Sequence, residues 1–512
     1  MRGNATLARP AGRGGADDRH GAADRDGPDD PGRAGRRHRR APSRLLLPVT
    51  VAAGCQIVLL LWWLAAYPAF LGPDAVETVR RVTEPGAWTA GRAVPYDAAV
   101  LLSLRLTGGL AAVTLLQTAA AALTLGYAVA ALARLGVRGR WSAPTALALA
   151  ALPPTGGLTV FLWREVPFTL AAVLTCAACL RLLARRAAQE ERPTGRGLAV
   201  DLAVLLLALL GLGLFGGRAG CGIAFTVTLA LLAFLPGLRR QVALLALAAL
   251  LVPLLLDLRG YRALLDVRRA PAAHRLDAAD LAVAYHSDPT AFGEADTALF
   301  AAVAPLPVWD RAGAACYSAD RLTDPDQGWD ETRALARDGE LTDLWFRTAA
   351  RHPDLVLAAR LCRGHLAWGI WPGPADAAGQ TVVQTPRPSP DLYGYTAPGG
   401  SLADSPVADR LRPNPALTPL RKAAVWLHTA LRAPQLEWLL WRGAVWTYLG
   451  YAALLVCARR RALPAALPVG GAVLIGLQLA LIASGSGPDY RGMAAALFLG
   501  PLLLTLLTAR RR

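Results

Sequence analysis

The sequence predicts an all-α polytopic membrane protein with about ten transmembrane helices and one large insertion outside the membrane. Of its 512 residues, 54% are hydrophobic, and the mean hydropathy is +0.34. The apolar residues fall in blocks of about 17–25, the length that crosses ~30 Å of hydrocarbon. Arginines gather at alternate ends of these blocks, a pattern typical of chains that cross a membrane repeatedly.

Residues 1–42 precede the first apolar block and are rich in Arg, Gly, Asp and Pro. A segment with almost no bulky apolar residues cannot form a core, so a disordered basic tail is predicted. The block that follows is longer than a signal peptide and has no clean small-residue cleavage site. We therefore expect a membrane anchor rather than a cleaved leader.

The arginines also orient the spans. If the N-terminus is cytoplasmic, each inner connection carries two or more arginines, whereas the short outer connections carry one each. Both termini are therefore expected in the cytoplasm, and the chain in the cytoplasmic membrane. The predicted spans are 45–66, 100–133, 142–161, 167–184, 198–216, 221–237, 241–257, 437–457, 464–484 and 492–509.

This topology divides the chain into four parts. Residues 1–42 form the cytoplasmic tail, and 43–257 hold spans one to seven with a first outer loop at 68–99. Residues 258–436 form an extracytoplasmic insertion, and 437–512 hold spans eight to ten. The insertion is expected to be helical in its first part and rich in Pro and Gly in its second.

Two features of the insertion leave alternatives open. Between 344 and 366, apolar residues recur at helical spacing with arginines among them, so this helix lies in the membrane interface or packs on a small domain of its own. Cys316 and Cys362 would form a disulfide in an oxidising compartment. Five tryptophans would stack on sugars or simply pack in a core. These are Trp309, Trp329, Trp345, Trp368 and Trp371.

The net charge of +17 does not indicate a nucleic-acid partner. Lys422 is the only lysine, and the wealth of Arg, Ala, Gly and Pro reflects a biased composition. Basic residues are expected beside the spans of any membrane protein. No His or Cys cluster has the spacing of a zinc site.

Two acids are the strongest candidates for chemistry. Asp74 follows the first span, near the start of a helix expected after Pro73, where it acts on a substrate or caps the helix. Glu165 lies between two further spans, in a turn fixed by Trp163 and Pro167 or in a solvated turn. Both acids are expected at the outer membrane surface.

Arginines from other outer turns accompany these acids. Arg218 lies in a glycine-rich turn, Asp489-Tyr490-Arg491 ends the last outer turn, and Arg105 lies at the outer end of the second span. A guanidinium binds phosphate in bidentate fashion, although interfacial anchoring also explains each arginine alone. The spans hold few ionisable residues, whereas ion-coupled transporters place them at mid-depth. This favours surface chemistry.

Four stretches of this chain resemble GT-C-type membrane glycosyltransferases, in the bacterial branch related to the protein mannosyltransferases and aminoarabinose transferases. Residues 67–74 are similar to the first outer loop with its catalytic acid, and 162–168 to the turn with the second acid. Residues 215–220 are similar to an arginine-bearing turn, and 488–491 to an Asp-Tyr-Arg motif before the last span.

The resemblance implies a GT-C-like fold and a polyprenyl-phosphate sugar donor on the outer face. The acceptor would be an envelope glycan, lipid or protein. Asp74 would be the general base, optionally sharing a divalent metal ion with Glu165. Arg218 and Arg491 would hold the lipid phosphate, with Arg105, Asp489 and Tyr490 as further substrate-binding residues.

Two other functions remain open. A transporter or lipid flippase would require charge at mid-membrane and two matching halves, and neither is visible in the sequence. A non-catalytic envelope scaffold would require only a topology of this kind.

Overall fold

Helices account for nearly all regular structure in this protein. The computed structural model describes residues 43–84, 88, 94–187, 195–261, 263, 274–371, 394–412 and 414–509. The predicted tail, residues 372–393 in the Pro/Gly-rich part of the insertion and the final arginines lie outside these residues. Within them, the only β contact recorded outside helices is a single parallel bridge between Phe70 and Phe161.

Within the described ranges, eight α-helices come before the insertion, and several of them are long enough to span a membrane. Blocks of Leu, Ala and Val with few charges favour helix and allow burial in lipid. The helices are α1 (Ser43–Ala66), α2 (Pro73–Thr83), α3 (Val94–Thr107), α4 (Ala111–Arg134), α5 (Gly139–Ala151), α6 (Glu165–Ala187), α7 (Gly195–Phe234) and α8 (Arg239–Leu255).

The described residues of the insertion and the last spans contribute thirteen more helices. They are α9 (His274–Ser287), α10 (Glu294–Val303), α11 (Leu306–Ala314), α12 (Glu331–Ala336), α13 (Asp338–Arg351), α14 (Pro353–Arg363), α15 (His365–Trp368), α16 (Ala408–Leu411), α17 (Thr418–Ala430), α18 (Pro434–Leu440), α19 (Gly443–Arg461), α20 (Ala466–Ser484) and α21 (Ala494–Leu504). Helices thus make up most of the described first part of the insertion.

The fold is that of a polytopic helical membrane protein. In the described part of the chain, seven helices are long and apolar enough to cross a membrane. The pair α18 and α19, bent by 42°, makes an eighth if it counts as one span. The prediction of a polytopic helical membrane protein is confirmed. The ten predicted spans exceed the seven or eight that helix length and apolar composition identify in the described residues.

Two predicted spans are interrupted. The span at 100–133 is divided between α3 and α4, because Gly108 takes a left-handed φ of 72° between them. The span at 142–161 ends its α-helix at Ala151 and continues as turns and a short 3₁₀ helix. Two prolines, Pro153 and Pro154, follow directly, and proline cannot continue the backbone hydrogen bonding of a helix.

The 40-residue helix α7 reverses direction at its centre. Gly217 has φ 52° and ψ −132°, which is not helical. A Cβ added to Gly220 would lie 1.8 Å from the carbonyl oxygen of Leu212. In a continuous helix these residues would be separated by about 12 Å along the axis, so the two halves of α7 fold back on each other as the separate blocks 198–216 and 221–237 predict.

Helix α6 forms the centre of the membrane part. In its apolar window, 83% of the residues are buried, compared with 11% for α8. It packs against α4, α7, α20 and α21, whereas α8 exposes leucines along most of its surface. Cys176 and Cys179 are free, fully buried thiols of α6, and a buried free cysteine packs as a small hydrophobe.

A buried ion-pair cluster joins α4, α6 and α7 at the end of α6 opposite Glu165. The Asp201 carboxylate has no exposed surface, and Arg181 donates to it at 2.7 Å. Arg134 and Arg185 also pair with Asp201. A carboxylate buried this deeply requires such partners, so the cluster fixes how these three helices meet.

The insertion has its own hydrophobic core. Phe300, Trp309, Trp329 and Leu344 are buried in one cluster of side chains from α9 to α13. Of the five tryptophans, Trp309 and Trp329 are thus core residues, whereas Trp368 and Trp371 are 43% and 62% exposed. Leu344 of the amphipathic segment packs in this core, as the small-domain alternative predicts. Trp368 and Trp371, which follow that segment, remain exposed.

A disulfide joins Cys316 to Cys362, with 5.9 Å between their Cα atoms. The bond closes a loop of 46 residues, and cross-linking a loop of this size stabilises a fold by about 2–4 kcal/mol. We expect Cys316→Ser to lower the free energy of unfolding of the insertion by that amount, measured by urea titration of the purified protein. Equal stability of the variant and of wild type would contradict the bond.

Candidate functional site

The turns that carry Asp74 and Glu165 are joined by their backbones. Phe70 donates its N–H to the carbonyl of Val160 at 2.9 Å, and Leu162 donates to the carbonyl of Phe70 at 3.1 Å. Each acid follows this junction by only three or four residues. The two carboxylates are therefore held near each other although 91 positions (165 minus 74) separate them in the sequence.

Side chains of α4 complete this junction. Gln117 donates to the carbonyls of Thr159 and Phe161 at 2.8 and 3.0 Å, and Thr114 donates to the carbonyl of Pro68 at 3.0 Å. Because buried carbonyls need donors, these two residues keep both turns against the outer end of α4.

Asp74 lies in the first turn of α2, as predicted. Pro73 is the first residue of the helix, and Gly72 occupies the capping position without a side-chain hydrogen bond. Asp74 is thus not the cap. Its side chain is 61% exposed, so a substrate from outside the chain can reach it.

The last outer turn supplies the third part of the site. Asp489 accepts the backbone N–H of Arg491 at 3.0 Å and also pairs with its guanidinium. The same guanidinium lies 4.8 Å from the centre of the Trp163 ring. Trp163 in turn stacks on Phe161 at 4.2 Å, so Arg491 rests on the turn that carries Glu165.

Arg491 connects the three acids. Its Nη1 pairs with Asp74 and lies 3.7 Å from Glu165, while its Nη2 pairs with Asp489. We call Asp74, Glu165, Asp489 and Arg491 the acid–arginine centre. Three separate turns build it, and they bring Asp74 and Glu165 together with the Asp489-Tyr490-Arg491 segment.

The centre does not fit a shared metal ion in this arrangement. The guanidinium of Arg491 occupies the space between Asp74 and Glu165 that a bridging cation would need. Among the described residues, no three His, Cys, Asp or Glu side chains are grouped closely enough to hold a metal. We derive no step through one.

Arg218 and Arg105 lie apart from the centre. Arg218 is exposed beside the kink of α7 and is close enough to Asp277 of the insertion to favour its charged form. Arg105 is exposed in the last turn of α3. In the described part of the chain, no ion pair joins either arginine to the acids of the centre. Tyr490 is fully buried beneath it, against Trp441 at 5.1 Å.

The insertion holds the turn of the centre in place. Arg363, whose side chain is 1% exposed, pairs with the buried Asp280 and donates to the carbonyl of Gly485 at 3.3 Å. Ala319 donates to the carbonyl of Ser486 at 2.8 Å. No local sequence pattern predicts this contact, since Arg363 and Gly485 are 122 positions apart.

The same contact brings a further acid towards the centre. Asp320 follows Ala319 directly, and partial loss of solvent raises its pKa although the residue keeps exposed surface. Asp74 and Asp489 raise this pKa further, while Arg275 opposes the shift. Burial also raises the pKa of Asp489, although Arg491 opposes the shift. Raised carboxylate pKa values bring proton exchange closer to neutral pH.

A histidine that sequence reasoning passed over lies below the centre. His428 of α17 has no exposed surface, and neither ring nitrogen has a hydrogen-bond partner. Trp62, Phe161 and Trp441 surround it with ring centres 5.5–6.1 Å away. Burial lowers the pKa of His428 to about 3, with a smaller contribution from Arg432.

His428 should make the protein sensitive to acid. The unfolded chain binds a proton at this residue below pH ~6.5, while the folded chain does not until about pH 3. The contribution of His428 to the free energy of unfolding is therefore fully present above pH ~6.5. It is lost progressively as the pH drops towards 3. Between pH 7 and 5 we expect a loss of about 2 kcal/mol, measured by thermal unfolding at each pH.

His428→Leu serves as the comparison for this prediction. It removes the titrating group and its unpaired nitrogens, so the variant should lose the share of the acid sensitivity that His428 causes. If both proteins lose the same stability between pH 7 and 5, the buried neutral imidazole is not the cause.

Comparisons with protein-family models, curated proteins and solved structures found no match to this chain. Its function is therefore argued from the site itself.

Proposed function

We propose that this protein is an integral membrane glycosyltransferase of the GT-C type. It would move a sugar from a polyprenyl-phosphate donor to a cell-envelope glycan, lipid or protein on the outer face of the cytoplasmic membrane. The observation that carries the proposal is the acid–arginine centre, in which an exposed carboxylate and a guanidinium meet at the ends of membrane spans. A base beside a phosphate-binding cation is what transfer from a lipid phosphate requires.

Asp74 is the proposed general base. An acceptor hydroxyl oxygen attacks the anomeric carbon of the donor sugar, and its proton passes to the Asp74 carboxylate. The bond from that carbon to the phosphate oxygen breaks, and its electron pair leaves with the polyprenyl phosphate. Arg491 stabilises the charge that develops on this leaving group.

The acids compete with the substrate for Arg491. The guanidinium already pairs with Asp74 and Asp489, so a donor phosphate has to replace one of them. Asp74 is the more exposed of the two, at 61% against 26%. Replacing it would free its carboxylate to accept a proton, so donor binding and activation of the base are one event in this mechanism.

The proposed topology has ten spans: the seven apolar helices with the two halves of α7 counted separately, the bent pair α18 and α19 as one, and the interrupted segment 142–161 as the tenth. The insertion and the acid–arginine centre are then outside the cell. The Cys316–Cys362 disulfide supports this side, because disulfides persist in oxidising compartments.

The test is glycosyl transfer in membranes that contain the full chain. Radiolabelled polyprenyl-phosphate sugars are supplied with envelope acceptors, and we expect label in an envelope product only when the protein is present. Abundant folded protein that transfers no sugar from any donor would overturn the proposal. Movement of intact donor across the membrane without transfer would instead identify a flippase.

A further inference from the structure

The helices α14 and α15 of the insertion carry a stripe of exposed apolar side chains. Leu357, Leu361 and Trp368 are 55%, 37% and 43% exposed, and Trp371 just beyond is 62% exposed. The first two lie one turn apart on the same face of α14, and Trp368 donates its indole N–H to the carbonyl of Leu361 at 3.1 Å. We call these four residues the apolar stripe.

The stripe lies beside membrane spans. Gly364, between α14 and α15, is packed so closely on α20 that an added Cβ would lie 2.7 Å from the Cα of Ile482. Trp371 lies 5.4 Å from Trp438, next to the outer end of α19. The exposed apolar surface therefore continues from the stripe onto the spans, where Leu479 of α20 is 55% exposed.

The depth of α15 can be read from its hydrogen bonds. Gln478 donates to the carbonyl of Ala367 at 2.8 Å, and six residues separate Gln478 from the end of α20 at Ser484. At 1.5 Å per residue, the Cα atom of Gln478 lies about 9 Å below the end of that span, and its side chain reaches α15 from there. Helices in the interface bury their apolar faces by about 5–10 Å.

Side chains of the spans satisfy the backbone of α15. Its last carbonyls, those of Ala367 and Trp368, accept hydrogen bonds from Gln478 and from the hydroxyl of Tyr448, both at 2.8 Å. Tyr451 in turn donates to Gln478 at 2.8 Å. In water such carbonyls would need no protein partner, whereas at lipid depth an unpaired carbonyl costs several kcal/mol.

We infer that α14 and α15 are inserted into the outer leaflet of the bilayer, with the apolar stripe in contact with lipid at the boundary of headgroups and acyl chains. The occupant of this surface is the membrane itself. Trp368, Trp371 and Tyr448 form the aromatic belt typical of that boundary. This inference does not depend on any catalytic activity.

Insertion would also set the height of the acid–arginine centre. Arg360 of α14 donates to the carbonyl of Ala483, and Arg363 to that of Gly485. The helix that carries the stripe is therefore hydrogen-bonded to the last outer turn. The lipid contact of the stripe thus holds the centre at the membrane surface, where a lipid-linked phosphate would be presented.

The test is fluorescence quenching of full-length protein in nanodiscs. One set is made with ordinary phosphatidylcholine and another with lipid brominated near the carbonyl end of its acyl chains. In each set, the emission of Trp371 is obtained by subtracting the fluorescence of the Trp371→Phe variant from that of the wild-type protein. We expect brominated lipid to reduce it by about twofold or more, and aqueous iodide to leave it nearly unchanged, because the ring lies in the interface.

The reverse pattern, with quenching by iodide and none by brominated lipid, would overturn the inference. Trp329→Phe is the control, since Trp329 is 5% exposed in the core of the insertion and should respond to neither quencher. A second variant, Leu357→Glu with Leu361→Glu, should bring Trp371 within reach of iodide while the Cys316–Cys362 disulfide stays intact. Unchanged quenching in that variant would also count against insertion.

Discussion

Asp74→Asn is expected to lower the rate of sugar transfer by about 10²–10⁴-fold, the contribution of a well-placed general base. Asparagine keeps the size of the side chain and cannot take a proton from the acceptor hydroxyl. The measurement is the initial rate of transfer from a polyprenyl-phosphate sugar at saturating donor, with the amount of folded protein matched.

The same substitution should strengthen donor binding. Asp74 competes with the donor phosphate for Arg491, and asparagine removes that competing charge. A lower KM for the donor together with a lower kcat would indicate that Asp74 acts as the base and also occupies Arg491 before the donor binds. A residue with only a structural role would not produce this combination.

Glu77→Gln provides the matched control for Asp74→Asn. Glu77 lies one turn further along α2, is 48% exposed and pairs with Arg81 at 3.4 Å. Glu77 is half-exposed, and the buried Arg81 keeps its closer pair with Asp97 at 3.0 Å, so the control should keep wild-type kinetics. Equal rates for Asp74→Asn and wild type would remove Asp74 from the mechanism.

Asp280→Asn should produce the largest loss of stability. The carboxylate has no exposed surface and pairs with Arg360 and Arg363, while Trp345 donates to it at 2.9 Å. Removing one partner of a buried ion pair costs about 3–5 kcal/mol, because the remaining charge stays buried. The measurement is thermal unfolding of the purified protein.

Asp296→Asn is the control for this second substitution. Asp296 pairs with Arg347 at 3.0 Å in the same insertion, but that arginine is 51% exposed, so a change below about 1 kcal/mol is expected. If the two variants unfold alike, the buried cluster does not anchor the insertion. A folded Asp280→Asn should also transfer sugar more slowly, since Arg363 supports the turn before Asp489.

Much of the membrane part could be predicted because its signals are local. Hydrophobic blocks and arginine asymmetry predicted the helices, and Pro73 predicted the start of α2 with Asp74 in its first turn. The breaks at Gly108 and at Ala151 were missed, since an apolar run continues through both in the sequence. Periodicity cannot reveal a break that changes no hydrophobicity.

The candidate site was predictable only in part, because its contacts are long-range. Asp74, Glu165 and the 489–491 motif each stood out beside a span, and they do meet. Arg218 stood out equally and lies elsewhere, near Asp277. Asp320 and His428 carried no local signal, because an acid in a polar segment and a lone histidine are common.

The backbone junction between Phe70 and Leu162 has a consequence for how this architecture can vary. Asp74 and Glu165 belong to the membrane part. The turn that carries Arg491 is instead hydrogen-bonded to the insertion through Arg363 and Ala319. Exchange of the insertion for a foreign one would move Arg491 relative to Asp74 and Glu165 while leaving those two carboxylates in place. In the proposed mechanism, binding of the donor phosphate and proton transfer are therefore separately adjustable.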